Sequence, residues 1–305
     1  MKISACIITN NNRQVLNAIQ SVKKSCNEII VVETSGKNDF QNELNNLGVK
    51  LYWKLFNDDF SAVRNYSIEQ ATGEYILIID SDEVLNTEIK YLDSNYDYYF
   101  CKVINNGLYH YSVKLFKNIP ELRYYNRIHE NVSYQNFKGC LSDIEYLHTG
   151  YDTDEQVRVK QERNLKILEK DVNNPGRNYY FLCAYYYKKE IDKAIEYGIK
   201  SLNDNIGNEI KANACLMLND LYKHKNDLQN ALIYLSKSFE YLPEQSRGRI
   251  EFINLLEQFQ RKEDLITELN IISEITKKKK SFLPNDVYLT EQEINEKLIK
   301  ANLIN

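Results

Sequence analysis

A doubly wound, parallel α/β sheet followed by an all-α helical domain is the fold class this sequence predicts, and three observations carry the prediction. Short apolar, β-branched runs alternate with amphipathic stretches through the first half of the chain, the pattern of βαβ units. From Asp154 onward the texture is helical throughout. Between Gly73 and Glu83 an apolar run passes directly into Asp80, Asp82 and Glu83, as a buried strand does when it ends at a ligand site.

Taken in order, residues 3 to 8 and 29 to 32 read as short buried strands, and Arg13 to Lys24 between them sets Val15, Ile19 and Val22 on one helical face. Val49 to Trp53 alternates like a further strand, and Ser61 to Thr72 has helix character closed by Gly73. Tyr75 to Ile79 is too short and too β-branched for a helix, so it reads as a central strand covered on both faces. Tyr98 to Ile104 and Tyr109 to Phe116 alternate without long helices between them, which predicts antiparallel additions at one edge. The sheet domain is expected over residues 1–152 and the helical domain over 153–305.

Within the helical half, Leu218, Asn219, Tyr222, Ala231, Leu235, Ser238 and Pro243 fall at tetratricopeptide spacings. A weaker unit precedes it, with Ala184, Tyr186, Ala194, Ile195 and Ser201. Such hairpins bury one face and offer a concave surface to a peptide or partner; a cap on the sheet domain or a homodimer contact is the alternative use.

The chain has 305 residues, 43% hydrophobic and 27% charged, enough for two domains with separate cores. A net charge of −4 gives no electrostatic footprint for nucleic acid. No apolar stretch approaches the ~20 residues needed to cross a bilayer, and the start runs straight into a strand, so a cytoplasmic location is expected. The six cysteines are scattered without metal-ligand spacing and read as reduced core residues. Lys277 to Lys280 reads as a solvated helix end.

The chemistry starts at Asp80 and Asp82. Two solvent-facing aspartates one residue apart repel each other unless a cation sits between them. All-oxygen ligands suit magnesium or manganese, ions that commonly bridge to phosphates, whereas a turn of solvated acids is the plain alternative. Upstream, Asp59 or Ser61 is placed to cap the helix that follows, which sets Arg64 in its first turn. A cation against the helix dipole makes sense if a phosphate binds both, so Arg64 is a candidate diphosphate ligand. A surface pair with Glu69 or Asp58 is its other reading.

On these residues the chain resembles the glycosyltransferase family 2 enzymes of GT-A fold, in the branch with tetratricopeptide-like C-terminal helices. The resemblance runs over at least residues 3 to 200 through five stretches in the same order as in the family: Thr9-Asn10 after the first strand, Ile29 to Gly36, Asp59-Phe60-Ser61 with Arg64-Asn65, Asp80 to Glu83, and Arg127-Ile128-His129-Glu130 followed by His148-Thr149-Gly150-Tyr151. Within that branch it is most similar to the glycocin (sublancin-type) peptide S-glycosyltransferases. It departs from the wider family in having Glu33-Thr34-Ser35-Gly36 where Asp-x-Gly-Ser is usual.

The resemblance implies a GT-A nucleotide-sugar-binding sheet, a divalent metal (Mg or Mn) and a nucleotide-sugar donor, UDP-glucose for this branch. Asp82 would hold the metal against the diphosphate, Asp80 would contact the ribose or the same metal, and His148 would complete the shell. Thr9, Glu33 and Arg64 would contact the nucleotide, and Glu130 would serve as the catalytic base. The implied reaction is inverting transfer of a hexose to a peptide side chain, with a cysteine of a bacteriocin precursor as one acceptor. A cell-surface glycan or lipopolysaccharide core is a second acceptor class. Outside this chemistry stand a nucleotidyltransferase, which lacks support from Thr9-Asn10-Asn11-Asn12-Arg13, and a binding scaffold with an inactive sheet domain.

Overall fold

The computed structural model describes residues 1–105, 108–149, 154–278 and 288–303. The chain divides into two compact units, Met1–Asn174 and Pro175–Asn305.

The first unit is built in the order β1 (Ile3–Thr9), α1 (Val15–Val22), β2 (Glu28–Glu33), α2 (Gln41–Asn46), β3 (Lys50–Trp53), α3 (Phe60–Glu69) and β4 (Tyr75–Asp80). It continues with β5 (Glu83–Leu85), β6 (Tyr98–Asn105), β7 (Leu108–Lys117), β8 (Tyr124–Tyr125), β9 (Asn131–Val132), β10 (Gly139–His148) and α4 (Asp154–Lys170). The main sheet runs β3-β2-β1-β4-β7-β6-β10-β5, and β8 and β9 form a small second sheet. β3, β2, β1 and β4 are mutually parallel, as the alternating pattern predicts. β7 pairs antiparallel with both β4 and β6, so the predicted antiparallel additions extend the sheet from β4.

Strand periodicity decides what each side chain faces. Along β4, Tyr75, Leu77 and Ile79 join the core beneath α1, with Val15, Ala18, Ile19 and Val22. Ile76 and Ile78 join the opposite core, with Val63 and Ile68 of α3. Asp80 continues that second face by the same two-residue step, which aims it toward α3. Burying such an Ile or Leu side chain contributes about 1.5–3 kcal/mol, so a register slip of one residue would be heavily opposed.

The helix α4, expected with the helical half, groups with the sheet unit. Its end is tied there: Arg127 N–H donates to Asp171 Oδ2 at 2.9 Å, and Asn174 Nδ2 donates to the Ile128 carbonyl at 3.2 Å. The compact units therefore meet after Asn174, past the composition change near residue 152.

The second unit holds α5 (Arg177–Tyr187), α6 (Ile191–Ser201), α7 (Asn208–His224), α8 (Leu228–Tyr241), α9 (Ser246–Gln258), α10 (Lys262–Lys278) and α11 (Glu291–Asn302). α5 to α8 share one core containing Leu182, Ala194, Ala214 and Leu218. The repeat positions read in the sequence do this packing. Ala231, Leu235 and Ser238 are buried, and Asn219 Nδ2 caps the Ala231 carbonyl at 2.9 Å. Gly198 is where the helices approach closely, since a Cβ there would lie 2.8 Å from Leu218. Lys277 pairs with Glu274, and residues 279–280 of the basic run lie outside the described residues. Among the described residues no helix is long and apolar enough to cross a membrane.

Candidate active site

The site forms where β1 and β4 end side by side, with Ile8 opposite Asp80. Of the two capping candidates, Asp59 caps α3, accepting from Ala62 N–H at 2.9 Å. Ser61 Oγ instead donates to the Asn126 carbonyl, and Phe60 N–H donates to the Arg127 carbonyl at 2.8 Å. These bonds fasten the segment leading to Glu130 onto the start of α3. Arg64 is the fifth residue of α3, one position beyond the predicted first turn. There it faces both the end of β4 and Glu130, and pairs with neither Glu69 nor Asp58.

A buried ion-pair network results. Arg64 Nη2 donates to Asp80 Oδ1 at 2.7 Å, and Arg64 Nε donates to Glu130 Oε1 at 2.7 Å. The guanidinium carbon lies 5.4 Å from the centre of the Tyr124 ring. Lys114 Nζ donates to Asp80 Oδ2 at 3.0 Å and to both oxygens of Glu83 at 2.9 and 2.8 Å. Glu83 in turn accepts from Asp80 N–H at 2.9 Å. Burial favours the neutral form of Asp80, but Arg64 and Lys114 outweigh it and hold its carboxyl well below the usual range. Burial likewise opposes the charge of Lys114, and Asp80 and Glu83 overcome that and raise its pKa.

The alternation of β7 gives Lys114 no inward-facing signal, and a β-bulge explains why it turns inward. In the β6–β7 ladder Tyr99 pairs with Leu115 and Phe100 with Val113, so Lys114 is the extra residue. A bulge breaks the two-residue alternation and re-aims a side chain, here into the network.

Asp82 and His148 are brought together by short β5, which pairs antiparallel with β10 so that His148 lies opposite Glu83. Thr149 reinforces this, donating from N–H at 2.7 Å and from Oγ1 at 2.9 Å to the Asp82 carbonyl. His148 Nε2 lies 3.4 Å from Asp82 Oδ2. The hydrogen bond between them lowers the Asp82 pKa and raises that of His148.

As metal donors, Asp82 and His148 fit, because one carboxylate and one imidazole face the same cleft within one ion's reach. His148 Nδ1 is buried with no partner among the described residues. Carboxylate suits magnesium or manganese and imidazole suits transition ions, so the two donors together are compatible with manganese. Among the described residues no three His, Cys, Asp or Glu side chains gather into a ready metal cage. Both oxygens of Asp80 are already committed to cations, which leaves it the poorer donor of the pair.

These residues open on a cleft of about 480 Å³. Thr9, Arg64, Asp80, Asp82, Glu130 and His148 all line it. Glu33 does not. It is wholly buried, and its carboxylate accepts from Asn11 N–H, Ser35 N–H and Oγ, and Asn38 Nδ2. Glu33 thus holds two loops in place, and its neighbour Thr34 reaches the cleft. The far wall is α4, which supplies Lys160, Arg163 and Asn164, residues that lie beyond the expected domain boundary at 152. A smaller cleft of about 160 Å³, walled by Tyr111, Ser112, Tyr124 and Tyr134, shares Arg64 and Glu130 with the larger one.

Residues 4–146 match the family model described as Glycosyl transferase family 2. The chain is similar to the SPbeta prophage-derived glycosyltransferase SunS of Bacillus subtilis strain 168, at 24% identity over 221 residues, 65% of this chain and 52% of that protein. It is also similar to a TPR repeat-containing protein of Synechococcus elongatus, at 33% identity over 142 residues, 43% of this chain and 35% of that protein. The matches thus span about half, or less, of the length of these curated relatives. Among solved structures, TarS of S. aureus aligns with a TM-score of 0.46 at 16% identity, over 76% of this chain and 54% of that one.

Proposed function

We propose that this chain, whose residues 4–146 match the glycosyl transferase family 2 model, is an inverting glycosyltransferase that moves a hexose from a nucleotide donor to a peptide side chain. The observation that carries the reading is the grouping of Asp80, Asp82 and Arg64 at the carboxyl end of β4, on a cleft within the size range of small-ligand sites. UDP-glucose is the donor in this reading. A peptide acceptor, with a cysteine of a bacteriocin precursor as the leading case, rests on the resemblance to the glycocin branch and on the tetratricopeptide-like hairpins.

Charge sets the roles. As the sugar–phosphate bond breaks, negative charge grows on the departing diphosphate, and cationic groups fixed beside it lower the barrier. Asp82 and His148 would hold a divalent ion, which when bound supplies that neutralisation. Arg64 keeps Asp80 and Glu130 in fixed positions at the cleft floor. In this reading Glu130, which lines the cleft, would accept the proton of a hydroxyl acceptor. A thiol asks less of a base, because a few per cent is already thiolate near neutrality.

The test is to incubate the purified chain with a panel of nucleotide sugars and manganese, and to follow donor binding and hydrolysis in the wild type and in Asp82→Ala. One donor selected by the wild type and lost in the variant is the expected result. No selection by the wild type, or unchanged behaviour of Asp82→Ala, sinks the reading.

A further inference from the structure

Arg64 and Lys114 face Asp80, Glu83 and Glu130, so in the network that borders the cleft two cations are outnumbered by three carboxylates, and of these Arg64, Asp80 and Glu130 line the cleft itself. Asp82 adds a further acid beside them. A diphosphate entering here meets an already compensated or acidic surface, and using Arg64 would strand Asp80 or Glu130 in a buried place. Beside the divalent ion that Asp82 and His148 would hold, a side-chain cation outside the network would meet the diphosphate without breaking these pairs.

Arg163 has the properties required. It lines the same cleft from α4. Among the described residues its guanidinium makes no ion pair; Nε and Nη2 donate to the neutral Asn164 Oδ1 at 3.2 and 2.9 Å. The guanidinium carbon lies 5.2 Å from the centre of the Phe60 ring, the first residue of α3. The ring contact and the amide brace together restrain the group while leaving N–H donors for a ligand. A planar fork held in advance is the form in which arginine recognises phosphate oxygens bidentately.

We propose that Arg163, beyond the stretch that matches the family model, is the arginine that binds the diphosphate of the nucleotide-sugar donor, with Arg64 left to hold Asp80 and Glu130. This rests on the transferase reading above and deepens it: α4 completes the donor site. The side chain is exposed, so its replacement leaves the core untouched.

The experiment measures binding of UDP, inorganic pyrophosphate and uridine to the full chain by calorimetry with manganese present, for the wild type, Arg163→Gln and Arg163→Lys. Loss of a charge-assisted pair predicts roughly 10- to 100-fold weaker UDP and pyrophosphate binding in Arg163→Gln, with uridine unchanged and Arg163→Lys in between. Equal UDP affinity in wild type and Arg163→Gln overturns the assignment while leaving the transferase reading standing. So does a parallel loss of uridine binding, which would mark a general disturbance of the cleft. A wild type that binds neither UDP nor pyrophosphate removes the donor reading itself.

Discussion

Arg64 and Asp80 are joined by a 2.7 Å ion pair between the middle of α3 and the last residue of β4. The strand's alternation aims Asp80 at α3, and the Asp59 cap sets which residues of α3 face back. Two local rules therefore converge on one contact, and Glu130 and Lys114 enlarge it into a network. Its members are mostly buried, with side-chain exposures of 11% for Arg64 and 10% for Lys114.

Such a network is expected to be costly to break at one member. Arg64→Ala leaves Asp80 and Glu130 facing each other's charge with one cation gone. A loss on the order of 3 kcal/mol is expected, seen as a clear fall in Tm by thermal unfolding. Arg64→Lys should recover little of it, because an ammonium cannot span both carboxylates in the geometry of a fork. Wild-type stability in Arg64→Ala would show that the network adds nothing to the fold.

Asp82 is expected to behave differently from Asp80. Its side chain is partly exposed and among the described residues pairs with His148, while its carbonyl, which anchors Thr149, survives substitution. Asp82→Asn should therefore unfold within about 0.5 kcal/mol of the wild type, as partly exposed substitutions commonly do. Manganese binding, followed by the quenching of water-proton relaxation or by calorimetry in the presence of UDP, should be largely lost. Asp80→Asn should show the reverse pattern, a stability loss first.

The sequence made β1, β2, β4 and the Asp59 cap legible because burial, period and capping chemistry all speak locally there. Lys114 was hidden because a lysine in an alternating strand reads as solvent-facing, and only the ladder reveals the bulge that turns it inward. Glu33 misled in the opposite direction. A motif position suggested a ligand contact, whereas two loops meet on its carboxylate. Arg163 sits in a polar helix whose composition matches the helical half, and tertiary contacts at Asp171 and Asn174 decide where it packs.

Part of the acid sensitivity should originate at the opposite end of the sheet from Asp80. Glu28 accepts from Lys50, Ser4 and Thr72 in a nearly closed site. Burial alone would raise its pKa, but those partners together bring it from 4.5 to about 2. A carboxylate depressed on folding stabilises above its unfolded pKa, and that contribution is lost as pH falls toward the folded value. Glu28→Gln should thus be less stable than the wild type at pH 7 by on the order of 2 kcal/mol. The gap should close as pH drops from 4.5 toward 2 in urea titrations, and a pH-independent gap would contradict this origin.

Glu130 offers a way to separate a chemical role from a positioning one. Its carboxylate receives Arg64 Nε at 2.7 Å and also lines the larger cleft. Glu130→Gln keeps an oxygen for Arg64 and nearly the same volume, but removes the base. If Glu130 takes the proton from the acceptor, transfer to a hydroxyl-bearing peptide should fall roughly 10²- to 10⁴-fold with donor binding unchanged. Transfer to a thiol-bearing peptide should fall far less, because that nucleophile is partly ionised already. Equal, small losses with both acceptors would assign Glu130 to holding Arg64 alone, and weaker donor binding in the variant would place its effect at the diphosphate side of the cleft.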